Sequence, residues 1–289
     1  MEKLRGTGVA LVTPFRKNFS VDFFSLEKLI NHVIDGGINY LVMMGTTGES
    51  AVLSKEEKQE VVVFCKKVNN GRLPLVLGIG SNNTLALIDE IKATDFNGID
   101  AILSVSPYYN KPTQDGIYLH YKMISKTIDL PIIIYNVPGR TASNITAETT
   151  LRLANDFGNI VAIKEASGDL HQIEEIISKR PDNFMVLSGD DGLTSTIIKM
   201  GGEGVIAVVG QSHPKIFSDM VKAGLNGDFE KANMLHKKLD LIYDPLYADG
   251  NPAGIKATLS LLGICKNILR PPLVCVSDNT LNKLRDFII

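Results

Sequence analysis

The chain alternates between short apolar runs and longer segments of mixed polarity. Val-, Ile- and Leu-rich runs fall at residues 8–14, 40–44, 75–79, 101–106, 131–136, 160–165, 184–189 and 205–209. Each is apolar almost throughout, the pattern of a parallel strand covered on both faces. Between them, apolar residues recur at helical spacing over 25–35, 54–68, 84–96, 146–157 and 169–179. Ser54 with Glu57 three positions on is a capping-box signature for the start of one such helix. About eight strand–helix repeats predict an α/β fold whose parallel sheet closes into a (β/α)8 TIM barrel. Further helical patterns at 214–223, 229–243, 252–262 and 279–287 follow the last strand. The first closes the barrel and the rest form a small C-terminal helical appendage, dividing the chain into a catalytic barrel (1–224) and an extension (225–289).

Composition narrows the classes. A hydrophobic fraction of 44% and a charged fraction of 21% are ordinary for a soluble globular chain. The net charge of −2 offers no footprint for nucleic acid or an anionic membrane. Cys65, Cys265 and Cys275 are too scattered for a disulfide framework or a metal site. A reducing, cytoplasmic location is expected, with no signal or spanning segment. The five histidines lack ligand spacing, and most are expected at surface or capping positions. Asp190–Asp191 reads as a helix N-cap pair rather than a metal site.

In such barrels chemistry sits where strands end at the carboxyl face. Lys164 lies in the sixth run, where burial disfavours a charged amine, and a neutral amine attacks carbonyl carbons. The strand alone favours a lysine whose stem packs while its head reaches water; the other strand ends reverse that reading. The other strand ends supply Thr46–Thr47 in a Gly-Thr-Thr-Gly turn, Tyr108–Tyr109, Tyr135, Arg140, and Gly189 beside Asp190–Asp191. Hydroxyls, phenols, one guanidinium and one amine at one mouth suit a small carboxylated carbonyl compound. The glycine-rich 201–204 segment precedes the eighth strand and belongs to the opposite, structural end. Glu49 and Glu165 are expected to be buried and to order the mouth without taking a catalytic step.

Four segments in this order carry a specific likeness: Gly45-Thr46-Thr47-Gly48-Glu49, Pro107-Tyr108-Tyr109-Asn110, Tyr135-Asn136-Val137-Pro138-Gly139-Arg140-Thr141 and Ile163-Lys164-Glu165. Over essentially its whole length the chain resembles the dihydrodipicolinate synthase family, within the pyruvate-dependent class I aldolases. The resemblance implies condensation of pyruvate with aspartate 4-semialdehyde through a Schiff base on Lys164. Tyr135 would be the general acid and base, relayed by Thr46 and by Tyr109 reaching in from a neighbouring subunit. Thr47, Gly189 and the backbone at Ile206 would form the pyruvate pocket, and Arg140 would take the semialdehyde carboxylate. It also implies a homo-oligomer, commonly a dimer of dimers, and no metal or organic cofactor, since the imine is itself the electron sink.

Two other readings compete. A sister aldolase cleaving sialic acid or a 2-keto-3-deoxy sugar acid would share Lys164 but not need the Arg140 fork. A silent acid-binding barrel would not need the whole set. In lysine-inhibited members an effector pocket adjoins the second and third strand ends. Here Ser50, Ala51, Asn82 and Tyr108 match that pocket, whereas Lys55, Lys58 and Ala86 depart from it. Two ammonium groups and a missing carboxylate argue against feedback by lysine.

Overall fold

The computed structural model describes residues 2–287. The first half of the chain runs β1 (Gly6–Ala10), α1 (Phe23–Asp35), β2 (Tyr40–Met43), α2 (Lys55–Asn69), β3 (Leu75–Gly78), α3 (Thr84–Ala93), β4 (Ala101–Val105) and α4 (Gln114–Ser125). The second half continues with β5 (Ile132–Asn136), α5 (Pro138–Thr141), α6 (Ala147–Asp156), β6 (Ile160–Glu165), α7 (Leu170–Lys179), β7 (Met185–Ser188), α8 (Thr194–Lys199), β8 (Gly204–Ala207) and α9 (Pro214–Leu225). Three more helices follow: α10 (Phe229–Tyr247), α11 (Ala253–Leu261) and α12 (Asp278–Arg285). Each strand pairs in parallel with the next, and β8 returns to β1, closing the barrel. No described helix is long and apolar enough to cross a membrane.

Burial explains the apolar runs. Ile132 and Ile134 of β5 pack outward under the helices, while Ile133 and Tyr135 point into the barrel. The expected capping box is present: Ser54 Oγ accepts from Glu57 N–H, and the Glu57 carboxylate accepts from Ser54 N–H. Asp22, Thr146, Asp169 and Ser277 cap α1, α6, α7 and α12 by a side chain that accepts from a backbone N–H of the first turn.

One irregularity sets which side chains of β6 face inward. Ile132 pairs with Ile160, but Ile133 pairs with Ala162, so β6 carries a one-residue bulge at Val161. Side chains alternate faces along a strand, so one extra residue reverses the facing of everything after it. Beyond the bulge, Tyr135 pairs with Lys164 and Asn136 with Glu165. Lys164 thereby joins Tyr135 inside, and Glu165 is turned to the outer wall with Asn136.

Candidate active site

A cavity of about 440 Å³ opens at the carboxyl end of the strands, and Thr46, Thr47, Tyr135, Arg140, Lys164 and Gly189 all line it. Lys164 is only 6% exposed, and its Nζ stands 4.3 Å from the centroid of the Tyr135 ring. Gly189 makes room for it. A Cβ there would lie 3.0 Å from Lys164 Cε and 2.6 Å from the Ala166 Cβ.

The Thr46–Thr47 turn depends on a kink. Met44 is left-handed (φ 57°), and Gly78 lets it be so, because a Cβ on Gly78 would lie 2.5 Å from the Met44 carbonyl oxygen. Residues 46–48 form one 3₁₀ turn, and Glu49 leaves it in another left-handed conformation (φ 53°). Thr13 Oγ1 donates to the Gly48 carbonyl at 2.7 Å, fixing the turn to the segment after β1.

Behind the turn, Glu49 forms an ion pair with Lys256 of α11, both side chains fully buried. The backbone N–H of Arg270 donates to the other Glu49 oxygen at 3.0 Å. Lys256 Nζ also donates to the Ile268 carbonyl at 2.9 Å and lies 4.0 Å from the centroid of the Phe15 ring. Burial pulls the Lys256 ammonium below the usual lysine range, and the Glu49 carboxylate opposes that pull. Arg270 Nη1 reaches Glu57 at 2.7 Å, and this bond holds the Glu57 carboxyl down at about 2.

Glu165 is buried on the outer wall. Asn136 Nδ2 donates to both of its oxygens at 3.1 Å, and Gln172 Nε2 and Ser167 N–H complete the set at 3.0 and 2.8 Å. Burial raises its carboxyl above the usual range against these donors. Glu49 and Glu165 are both buried, as expected, and each carboxylate is held by hydrogen bonds.

The expectation of a capping Asp190–Asp191 pair needs adjustment, and His120 is an exception among the histidines. Asp190 does accept from the N–H groups of Gly192 and Leu193, at 2.9 and 3.2 Å. Asp191 does not cap that helix: it is 1% exposed and accepts from Val208 N–H, Val209 N–H and the Tyr247 hydroxyl, the last at 2.6 Å. It satisfies the backbone just past β8, whose N–H groups have left the sheet, and burial raises its carboxyl. His120 is not a surface residue; it is buried on α4 and packs edge-on against Tyr121. Its ring is held down at about 4 by burial.

Two candidates lie apart from the cavity. Ile206 is buried in the barrel interior, below the mouth. Tyr109 is 87% exposed and left-handed (φ 75°), so its phenol is not part of its own chain's cavity. Sequence reading passed over Tyr247 and Asn251, which also line the cavity. Both come from the region after β8, where no strand end pointed to them. Among the described residues, no group of three or more His, Cys, Asp or Glu is placed to hold a metal ion.

A closed parallel barrel with an enclosed lysine beside a phenol at its carboxyl mouth is the arrangement of lysine-imine aldolases. Residues 3–289 match the model of the dihydrodipicolinate synthetase family, and the chain belongs to that family. It is 52% identical over 284 residues to the 4-hydroxy-tetrahydrodipicolinate synthase of Flavobacterium psychrophilum, covering 98% of this chain and 97% of that one. The Phocaeicola vulgatus enzyme of the same name is 48% identical, with 98% and 95% covered. The crystal structure of dihydrodipicolinate synthase from Thermotoga maritima superposes with a TM-score of 0.95 at 40% identity, covering 98% of this chain and 97% of that one.

Proposed function

We infer that the chain catalyses the 4-hydroxy-tetrahydrodipicolinate synthase reaction, condensing pyruvate with L-aspartate 4-semialdehyde in the diaminopimelate route to lysine. The observation that carries the reading is the Lys164 amine, enclosed at the mouth and set against Tyr135. The Lys164 amine attacks the keto carbon of pyruvate and water leaves, giving a protonated imine. A methyl proton then departs, the electron pair moves into the imine, and an enamine results. Its terminal carbon attacks the aldehyde carbon, and the new alkoxide takes a proton. The amine of the semialdehyde finally adds to the imine carbon and expels the Lys164 amine, closing the ring.

Tyr135 moves the protons, relayed through Thr46 and the Tyr109 of a neighbouring subunit. A phenol alone is too weak a base for the task near neutral pH. Thr47 and the open face at Gly189 hold the pyruvate, whereas Ile206 lies outside the cavity lining. Arg140 has no acidic partner within salt-bridge range among the described residues, which leaves its planar fork for the semialdehyde carboxylate. The exposure of Tyr109 supports a homo-oligomer; the assembly we infer is a dimer of dimers, working in the cytoplasm. The Arg140 fork and the names of the relatives favour this reaction over sialic acid or sugar-acid cleavage. Lys55 and Lys58 on α2, with Ala86 on α3, support an enzyme that lysine does not inhibit. Half-inhibition at submillimolar lysine would contradict that point.

The test is borohydride reduction with pyruvate, read by intact mass and peptide mapping, followed by a coupled assay with aspartate semialdehyde. A pyruvyl adduct on Lys164 and turnover of the semialdehyde are expected. No adduct, or an adduct without turnover, would refute the reading.

A further inference from the structure

Asn251 lies in the connection between α10 and α11, far in sequence from every strand end, yet it touches both carboxylate anchors. Its Nδ2 donates to Thr47 Oγ1 at 2.9 Å. Its backbone carbonyl accepts from Arg140 Nη2 at 3.3 Å. Thr47 is 3% exposed, and its hydroxyl hydrogen has no acceptor among the described residues. A hydroxyl carries one proton and two acceptor sites. With an acceptor site filled by an amide N–H, the proton is turned away from Asn251 and left for a ligand.

The amide orientation follows from what each alternative would bury. As placed, Asn251 Oδ1 is buried without a donor. Turned over, Oδ1 would face Thr47 and Nδ2 would be the buried atom without a partner. An orphaned N–H is rarer in folded proteins than an under-satisfied carbonyl oxygen. The orientation with Nδ2 toward Thr47 is therefore the favoured one, and it makes Asn251 the donor.

We propose that Asn251 is a positioning residue for the first substrate: its amide N–H fixes the direction of the Thr47 hydroxyl, so that this hydroxyl donates to the carboxylate of the 2-oxo acid. The proposal rests on the functional reading above and names a residue that sets its pyruvate site. Through its carbonyl, the same residue holds the Arg140 guanidinium at the neighbouring anchor, so one short connection lies against both.

The test is a double-mutant cycle on pyruvate kinetics with Asn251→Leu, Thr47→Val and the pair. Asn251→Leu is expected to raise the pyruvate KM about tenfold, with kcat within about threefold, as for loss of orientation in one hydrogen bond to a charged acceptor. If Asn251 acts through Thr47, the pair matches Thr47→Val alone within about twofold. Effects that multiply across the pair, an unchanged pyruvate KM in Asn251→Leu, or a fall in kcat at constant KM would each overturn the proposal. Asn251→Ala is run in parallel, so that a fold disturbed by the larger side chain does not remove the test. Borohydride trapping of the unmodified enzyme separates the two levels. An adduct on Lys164 with multiplying effects sinks only the Asn251 assignment, whereas no adduct sinks the functional reading and this proposal with it.

Discussion

Lys256→Met removes one half of the Glu49–Lys256 pair while nearly conserving shape. Both side chains are fully buried, so neither charge can turn to water. The Glu49 carboxylate would keep the Arg270 backbone N–H at 3.0 Å and lose its only counter-charge within ion-pair distance among the described residues. Breaking a buried pair from one side costs about 3–5 kcal/mol, because an uncompensated charge stays behind. At about 2 °C per kcal/mol for a chain of this size, the thermal midpoint should fall by roughly 6–10 °C. Urea unfolding followed by circular dichroism would measure the free energy directly. Glu49→Gln with Lys256→Met removes both charges and should be about 2 kcal/mol more stable than the sum of the single effects predicts. Strict additivity, or a single-variant loss below about 0.5 kcal/mol, would refute the claim that the pair acts as one buried unit.

Tyr135→Phe keeps the ring beside Lys164 and removes the phenol, so kcat should fall about 10²–10⁴-fold while the fold is retained. An unchanged rate would remove Tyr135 from proton transfer. Arg140→Ala should raise the KM for aspartate semialdehyde far more than that for pyruvate, and equal effects would misplace its role. Gly189→Ala sets a methyl group against Lys164 Cε and the Ala166 Cβ. Adduct formation in borohydride trapping should slow, with about 1–3 kcal/mol of destabilisation from overpacking; trapping at the normal rate would count against Gly189 as the clearance for Lys164. His120 takes its proton near pH 6.5 when unfolded but only at about 4 when buried. Between those values the unfolded chain holds the extra proton, so stability falls by about 3 kcal/mol as pH drops from 6.5 to 4, and nothing is lost above 6.5. His120→Asn should flatten that acid arm in thermal melts; an unaltered arm would assign it to other groups.

The eight strands and their order were legible because strands covered on both faces leave a continuous apolar trace. Their ends were not. The first apolar run extends to residue 14, but β1 stops at Ala10. Val12 beyond it donates its N–H to Gln211 Oε1, and Thr13 donates to Gly48, so these two residues bond to turns after β8 and β2 instead of extending the sheet. The bulge at Val161 left no mark, since valine suits either face of a barrel wall. Lys164 was found by its chemistry, and its inward facing only by the register. Glu49 and Lys256 stand 207 positions apart, beyond any local periodicity. Asp191 was misread because an aspartate before a helix has the same local signature whether it caps that helix or a neighbouring strand.

The bonds from Lys256 and Arg270 to Glu49 have a consequence for synthesis. On the ribosome, all eight strands leave the exit tunnel before the cation that locks the second one. Until residues 256 and 270 arrive, Glu49 lacks both its ion-pair partner and the Arg270 backbone N–H, while the Thr13 bond to the turn is already available. A nascent chain halted near residue 225 could close its ring of strands and still lack a finished catalytic turn. Competence is thus deferred until almost the whole polypeptide has emerged.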